Sequence, residues 1–526
     1  MNNFLTSSTA SRLRALIVRL QPILPSLAAA CAFLILVWLY WSNRTAVHTF
    51  DAVSYMWNIE AKPMLALFHP HHLLYAPVGQ IAFRMAQTFG YIGHSDAPVQ
   101  AVNALAGALG VIFLWRFGMV WTGRSLVSLA AAVMVGVCYA YWLYTAEVEV
   151  YTLAACFLSL SLWLMARLEH SPTSQRAAAV GLAHAGAIMF HQTNAFFALP
   201  VLIFLLAHPR LRRWNIIGAY VITGGLAALI PYALVIFFSG MSDPAVIFDW
   251  LRGYAGTGRW GGHLRLEDFS ALWTGITRTV GGGEAATAGF YGLAILGLLV
   301  GFWWAWRDAS RRAWLAFSLT WLIVYGAFFW WWEPFNIEFW IALLPLMALF
   351  VMSGLPLETD PPLRFERLWS GGITLAALIV ALLLYRGNLS PVQAAGDPAN
   401  DYYYLVTTAL QTELAPGDLV ILRGNILDVY IPFYAQHSAF LSLREAEYTT
   451  GNDRAAVMAE IFRRMDEAQV KGKMVWIDQI LIDEPRSADR NPFGLLPAEI
   501  GTIKARYSIQ PGIAWNGSNV WYRIAP

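Results

Sequence analysis

The chain has 526 residues and a formal net charge of +2; 58% of its residues are hydrophobic and only 13% are charged, and its mean hydropathy is +0.50. A soluble globular chain carries about 25% charge, so the shortfall, spread over repeated apolar runs, excludes an ordinary water-soluble protein and points to lipid as the solvent. The three cysteines, Cys31, Cys138 and Cys156, all fall in apolar runs, which excludes a disulfide framework and a CxxC metal pair.

Arg12, Arg14 and Arg19 precede the first apolar run, as in a signal peptide. That run is long and has no small-residue cleavage site behind it, so an uncleaved anchor is expected. About eleven membrane spans are predicted, near 24–41, 99–117, 126–144, 150–166, 177–190, 195–207, 216–238, 290–306, 314–331, 337–351 and 373–385. Arginine orders the loops between them. Arg116 and Arg124, Arg167 and Arg176, Arg210, Arg212 and Arg213, Arg307, Arg311 and Arg312, and Arg364 and Arg367 occupy alternate loops. The short loops around Thr145, His191 and Glu333 carry no Lys or Arg. By the positive-inside rule the N-terminus is cytoplasmic, and an odd number of spans puts the C-terminal domain outside.

Two external loops are long, 42–98 and 239–289. The first contains Tyr55-Met56-Trp57 and Leu65-Ala66-Leu67-Phe68 among polar residues, which suits short helices lying at the interface. The second is rich in glycine, as at Gly281-Gly282-Gly283, and predicts a mobile, substrate-handling loop. Beyond about 390 the composition turns charged. Short β-like runs (Leu419 to Leu422; Val475-Trp476-Ile477) and a helix-like stretch over 455–468 predict a small α/β domain. The expected fold is thus mainly α: a polytopic membrane domain over 1–390, followed by a small extracytoplasmic α/β domain over 391–526.

The two halves of the segment 177–207 are short, about 14 residues or roughly 21 Å each at 1.5 Å per residue, against a hydrocarbon core of about 30 Å. Its apex, His191-Gln192-Thr193-Asn194, is therefore expected below the outer surface. Either it lines a water-filled cavity or it is hydrogen-bonded to neighbouring helices.

Reactive side chains collect on the outer face. Asp51 follows the first span, Glu147 and Glu149 sit at the turn between the third and fourth, and Glu333 and Glu338 flank the turn between the ninth and tenth. A carboxylate at the edge of lipid is costly unless paired or functional. His69, His71 and His72 cluster around Pro70, and Arg252 and Arg259 lie beside glycine and tryptophan in the second long loop. Arginine in such a setting suits a bidentate grip on phosphate, or is simply solvated. The histidines lack helical i, i+4 spacing, so no metal is expected and no cofactor is assigned. Tyr139, Tyr141, Trp142, Tyr144 and Trp330-Trp331-Trp332 read as an interfacial aromatic belt. In the C-terminal domain Asp428, His437 and Asp478 read as ordinary surface or turn residues.

Several of these segments together carry a resemblance. Asp51 after the first span, His69-Pro70-His71-His72-Leu73-Leu74-Tyr75, Val102-Asn103-Ala104-Leu105, and Trp142 with Glu147-Val148-Glu149-Val150-Tyr151-Thr152-Leu153 stand in order. They are followed by Gly181-Leu182, His191-Gln192-Thr193-Asn194 with Pro200, and Trp332-Glu333-Pro334-Phe335-Asn336-Ile337-Glu338-Phe339-Trp340 with Leu344-Pro345. This series, from about 24 to 350, resembles bacterial GT-C glycosyltransferases related to protein O-mannosyltransferases. The resemblance implies an inverting transferase that moves a sugar from a polyprenyl-phosphate donor to a hydroxyl acceptor on a protein, glycan or lipid at the outer membrane face. No nucleotide-binding strand-turn-helix pattern is present, and no nucleic-acid partner is expected. The acceptor needs a general base, for which Asp51 is the candidate. The departing phosphate needs donors and cations, for which the candidates are Arg252, Arg259 and His191, with His69 and His72. Glu147, Glu149, Tyr151, Asn194 and Glu333 are candidates for orienting the substrate. A transporter or flippase for lipid-linked saccharides is the alternative, but it calls for polar sites on the inner half of the spans, and few are present.

Overall fold

The computed structural model describes residues 24–253, 261–357, 366–487, 491–515 and 518–525. The chain divides into two compact units. One comprises Met1–Thr45 with Asn58–Gln393, and the other joins Ala46–Trp57 to Ala394–Pro526.

The first unit is helical. Its elements in order include α1 (Leu24–Ser42), α2 (Phe50–Ala61, which begins in the other unit), α3 (Tyr75–Thr88), α4 (Asp96–Thr122), α5 (Ser125–Gly136), α6 (Tyr139–Thr145) and α7 (Tyr151–His170). Next come α8 (Ser174–Phe190), α9 (Ala198–Ala207), α10 (Trp214–Phe238), α11 (Pro244–Arg252), α12 (Phe269–Val280), α13 (Glu284–Ala305) and α14 (Ala309–Trp332). The series closes with α15 (Ile337–Trp340), α16 (Leu344–Ser353) and α17 (Glu366–Ala395). Every apolar stretch expected to span is helical. Among the described residues six helices are long and apolar enough to cross a membrane, namely α4, α7, α10, α13, α14 and α17; α5 and α6 add a seventh if they are one span bent by 70°. The chain is a multi-pass membrane protein. The remaining stretches, α1, α8, the segment through α9 and the segment through α16, are shorter. The two long loops contain helices rather than open coil: α2 and α3 in the first, α11 and α12 in the second.

The bend between α5 and α6 exposes backbone carbonyls that a lipid-facing break could not satisfy. Here the protein satisfies them. Tyr40 donates its hydroxyl proton to the Gly136 carbonyl (2.9 Å), and Asn388 donates to the carbonyls of Val137 (2.9 Å) and Val280 (3.0 Å). The aromatic residues beyond the bend do not form the expected interfacial belt. Tyr141, Trp142 and Tyr144 are buried in the core, with Trp142 stacked on Tyr385 at 5.6 Å. Small residues upstream and polar partners downstream let this segment turn inward, which composition alone does not report.

The second unit is the small α/β domain expected from the C-terminal composition. Its elements are α18 (Tyr402–Gln411), β1 (Leu419–Leu422), α19 (Leu427–Tyr434), β2 (Phe440–Ser442), α20 (Leu443–Thr449), α21 (Arg454–Val470), β3 (Val475–Asp478), α22 (Gln479–Asp483), α23 (Pro497–Arg506), β4 (Ile509–Trp515) and β5 (Ser518–Ile524). The sheet order is β2-β1-β3-β5-β4; β1 pairs in parallel with β2 and β3, while β5 is antiparallel to β3 and β4. Alternate residues of a strand face opposite ways. Accordingly Ile421 and Ile477 pack with Val457, Ile461 and Met465 of α21, whereas Val420, Leu422 and Trp476 pack with Val406, Leu410 and Ile431 of α18 and α19. Both faces are covered, as a parallel sheet requires. Asp428 and Asp478 both stand at the turn that starts a helix, as the turn half of their reading expects, but they are not ordinary surface residues. Asp428 is ion-paired to Arg444 at 2.9 Å, and Asp478 is buried and caps α22 by accepting from Ile480 N (3.1 Å).

Candidate functional site

In the first unit the turn between α6 and α7 is fixed from below by one side chain. Asn103, buried in the middle of α4, donates to the carbonyls of Glu147 (2.6 Å) and Glu149 (2.7 Å) and lies 3.3 Å from the Tyr75 hydroxyl. Glu147 and Glu149 are both buried, and Glu147 accepts from Val148 N at 2.7 Å. An asparagine in an otherwise apolar span is expensive unless it makes such bonds.

Two residues further on, Tyr151 reaches across to the α14–α15 turn. Its hydroxyl donates to Glu338 Oε1 at 2.8 Å. Glu338 also receives Tyr144 (3.2 Å) and Asn336 (2.7 Å), and Asn336 donates in turn to Glu333 at 3.1 Å. The Tyr151 ring lies against His191, with ring centres 4.9 Å apart, and meets Phe339 edge-on at 5.7 Å.

The apex of the α8–α9 hairpin is packed rather than wide open. His191 Nδ1 lies 2.6 Å from the Thr193 hydroxyl. Asn194 donates to the His191 carbonyl (2.9 Å) and accepts from Tyr325 (3.1 Å). Its carbonyl lies 2.8 Å from His184 Nε2, and His184 Nδ1 lies 2.9 Å from the Tyr220 hydroxyl. The space left between Tyr151, His191, Thr193, Asn194 and Phe339 is only about 10 Å³, room for about one water. His191, Thr193 and Asn194 thus take the bonded alternative, with Asn194 tied to Tyr325 and His184, while Gln192 lines the groove between α8, α9 and α10.

The first-loop histidines join the same neighbourhood. Leu74 N donates to the Met189 carbonyl (3.1 Å), and Tyr232 of α10 donates to the Pro70 carbonyl (2.6 Å). His69 and His72 stack at 4.3 Å. Burial pushes the His69 imidazole down to about 4 and holds His72 well below its usual range, with His69 and His191 adding to the effect on His72. Both are neutral at pH 7 and act as hydrogen-bonding groups rather than cations. His71 Nε2 lies 2.9 Å from the Arg252 carbonyl, so the backbone of Arg252 meets the histidine cluster. Gly253 has φ +50°, and a Cβ there would stand 3.0 Å from His71 Nε2; that conformation and that approach both call for glycine. The Arg252 side chain is exposed and lies over Phe248 at 5.3 Å. Arg259 lies outside the described residues. Asp51 belongs to the second unit, half-buried in the first turn of α2.

Beside the apex runs an apolar groove of about 680 Å³, lined by α8, α9 and α10 and reaching Leu251, with His184, Gln192, Tyr220 and Tyr232 as its polar members. It begins where α8 and α10 touch: a Cβ on Gly181 would lie 2.6 Å from the Tyr220 carbonyl and 2.8 Å from Gly224 N. Two glycines thus bring the backbones together at one point, and the bulkier residues beyond hold them apart. Among the described residues no three His, Cys, Asp or Glu side chains come together to hold a metal ion.

The structure thus joins Glu147, Glu149, Tyr151, His191, Asn194, Glu333, His69 and His72 through a continuous set of contacts within one unit. Sequence reasoning did not select Asn103, Tyr75, Asn336 or Tyr144 for this site. Asn103 was the most detectable, as an amide inside a span.

Solved structures with the same architecture are known. ArnT from Cupriavidus metallidurans bound to undecaprenyl phosphate superposes with a TM-score of 0.58 at 12% identity, covering 95% of this chain and 97% of that one. Its apo form gives 0.59, again at 12% identity, over 98% of each chain. The fold is the GT-C glycosyltransferase fold. The oligosaccharyltransferase AglB from Archaeoglobus fulgidus, in complex with an inhibitory peptide and a dolichol-phosphate, matches with a TM-score of 0.52 at 12% identity, over 87% of this chain and 70% of its own. Residues 79–238 match the family model for dolichyl-phosphate-mannose-protein mannosyltransferase. The resemblance to GT-C enzymes related to protein O-mannosyltransferases therefore holds. No curated protein matches the chain by sequence. The matched segment contains Asn103, Glu147, Glu149, Tyr151, His191, Asn194 and the whole α8–α10 side of the groove.

Proposed function

We propose that this chain is an inverting glycosyltransferase that takes a sugar from a polyprenyl-phosphate and passes it to a hydroxyl acceptor at the extracytoplasmic face. The observation that carries this reading is the apolar groove ending at the polar apex of the α8–α9 hairpin. A polyprenyl chain needs a long apolar surface that opens to the bilayer, and its phosphate needs donors at one end. The groove offers the first, and Gln192, His191 and the histidines around Pro70 are suited to the second. The lipid phosphates named for ArnT and AglB support a carrier of this class.

The chemistry follows from the groups assigned. The acceptor oxygen attacks the anomeric carbon from the side opposite the phosphate, so the new C–O bond forms as the C–O bond to phosphate breaks, and the configuration inverts. Asp51 takes the acceptor proton. Arg252 and Arg259 neutralise the charge that grows on the departing polyprenyl phosphate, while His191, His69 and His72 donate hydrogen bonds to it. Glu147, Glu149, Tyr151, Asn194 and Glu333 hold the sugar's position. The reaction as written needs no metal or other cofactor. The eleven helical stretches act as spans, with the N-terminus in the cytoplasm and the C-terminal domain outside, as the arginine pattern requires.

The test is direct. Purified full-length protein is incubated with polyprenyl-phosphate sugars radiolabelled in the sugar, and lipid products are separated. Release of free polyprenyl phosphate with loss of label from the lipid fraction is the expected result. A panel of such donors that all remain intact, with a range of hydroxyl acceptors present, would overturn the reading.

A further inference from the structure

The second unit holds a piece of chain that is remote from it in sequence. Ala46 N and Val47 N both donate to the Ala395 carbonyl, at 2.8 and 2.9 Å. His48 N approaches Asp401 Oδ2 at 3.5 Å. The Tyr430 hydroxyl lies 2.7 Å from the same Asp401 oxygen and 3.0 Å from the His48 carbonyl, its one proton shared between them. Asp401 and Tyr430 are buried, 2% and 0% exposed, and Asp401 also caps α18 by accepting from Tyr404 N at 2.9 Å. Two residues past His48, the Phe50 ring lies 5.3 Å from the Arg444 guanidinium, which is itself fixed by its ion pair with Asp428. Asp428 and Arg444 stand just beyond the C-terminal ends of β1 and β2. In doubly wound sheets that edge is where ligands bind. In this domain Phe50 occupies part of it.

The next residue is Asp51. We propose that the C-terminal domain is a positioning device for Asp51, with Asp401, Tyr430 and Arg444 as the positioning residues. The inference rests on the reading of Asp51 as general base. A base must be held in place to act, and a displacement of about 1 Å can cost on the order of a hundredfold in rate. The entry to the first turn of α2 is pinned at His48 through backbone atoms and at Phe50 through its ring, so Asp51 inherits its place from residues some 350 positions later in the chain.

The experiment uses full-length protein in lipid nanodiscs. Tyr430→Phe removes a single hydroxyl and Arg444→Ala removes the contact to Phe50 independently. Each is expected to lower kcat about tenfold with the KM for the lipid donor unchanged, and neither should lower turnover further in an Asp51→Asn background. Hydrogen exchange should quicken at residues 47–57 and stay unchanged in β3, which separates loss of positioning from loss of the domain fold. Unchanged exchange at 47–57 in both variants, or a full loss of rate persisting in the Asp51→Asn background, would overturn the proposal. Wild-type turnover in Asp51→Asn alone would instead overturn the base assignment, and with it the purpose assigned to the contact. In that case quickened exchange would still establish that the domain holds the segment.

Discussion

The hydroxyl of Tyr151 donates to Glu338 at 2.8 Å across 187 residues of sequence, tying the start of α7 to the α14–α15 turn. Glu338 accepts from Tyr144 and Asn336 as well. Removing the carboxylate takes the acceptor from three donors at once, Tyr144 buried and Tyr151 and Asn336 half-buried; a fully buried donor left without a partner costs about 1–3 kcal/mol, a half-buried one less. Glu338→Ala should therefore lower the Tm of the purified protein markedly, Glu338→Gln less so, and Tyr151→Phe least, by about 1 kcal/mol. Thermal unfolding in one detergent orders the three; a Glu338→Ala protein as stable as wild type would dismiss the cluster as a brace.

Base and grip have separable signatures. Asp51→Asn keeps size and hydrogen bonding but loses most of the basicity, so turnover should fall by about 10²–10⁴-fold while donor binding holds. On the proposed reading Arg252 holds the donor phosphate already in the ground state, so Arg252→Ala should raise the donor KM with a smaller change in kcat. Steady-state kinetics with a labelled donor reads both. If Asp51→Asn keeps wild-type turnover, the proton must go to another carboxylate, and Glu149 is the next to examine.

Orientation is open to chemical labelling. Ser508 is exposed in the C-terminal domain. In a background lacking Cys31, Cys138 and Cys156, Ser508→Cys should react with a membrane-impermeant thiol reagent in intact spheroplasts. Reaction only after lysis would reverse the assigned topology.

One pair gives stability a pH signature. Glu60 accepts from Ser95 N (2.7 Å) and lies 3.1 Å from His94. Burial alone would raise the Glu60 carboxyl, but the bonds from His94 and Ser95 outweigh it and hold it below its ordinary 4.5; the bond to Glu60 raises His94 above 6.5 despite burial. The His94 contribution is complete below its unfolded value and is lost as pH rises through the raised one. The Glu60 contribution is complete above its unfolded value and is lost as pH falls through the lowered one. Both are in force between about pH 4.5 and 6.5. His94 is 48% exposed, so solvent screening keeps the gain to about 1 kcal/mol or less. Tm against pH should crest in that window and decline above it, and His94→Gln should flatten the decline. An unchanged profile in His94→Gln would assign the slope to other groups.

Hydropathy located the helical stretches expected to span, because burial in lipid imposes long apolar runs whatever the tertiary detail, but it gave no sign of α11 and α12 in the second long loop, which are short and begin among polar and glycine residues. The soluble sheet was half legible. Leu419 to Leu422 and Val475 to Ile477 are continuous apolar runs because both faces of β1 and β3 are covered. The edge strand Phe440–Ser442 has three residues, too few for a pattern, and β4 alternates around Pro511 and Gly512. At the candidate site the acids and histidines announced themselves by being costly near lipid. Their partners did not: Asn336 and Tyr144 look ordinary until Glu338 is found between them. Arg252 was chosen for its charge, yet its tie to His71 runs through its backbone carbonyl, a group every residue has. The bend that buries Trp142 was invisible because an aromatic serves equally well at an interface or in a core.

The pairing of His48 with Asp401 sets an order of events during biogenesis. The ribosome must add 353 residues between the two, which takes between roughly 20 and 70 s at about 5–20 residues per second. Throughout that interval the stretch bearing Asp51 has left the first span and has no Asp401, Tyr430 or Arg444 to meet. The membrane helices are inserted first, and the final 130 or so codons supply the surface that captures this early segment. The segment 46–57 therefore lacks its partners until the C-terminal domain has been made, and a chain truncated before Asp401 leaves it with neither Asp401 nor Tyr430 to hold it. Excision of the C-terminal domain for separate study would in turn leave Ala395, Asp401 and Tyr430 without the segment they hold, unless residues 46–57 were supplied as a peptide.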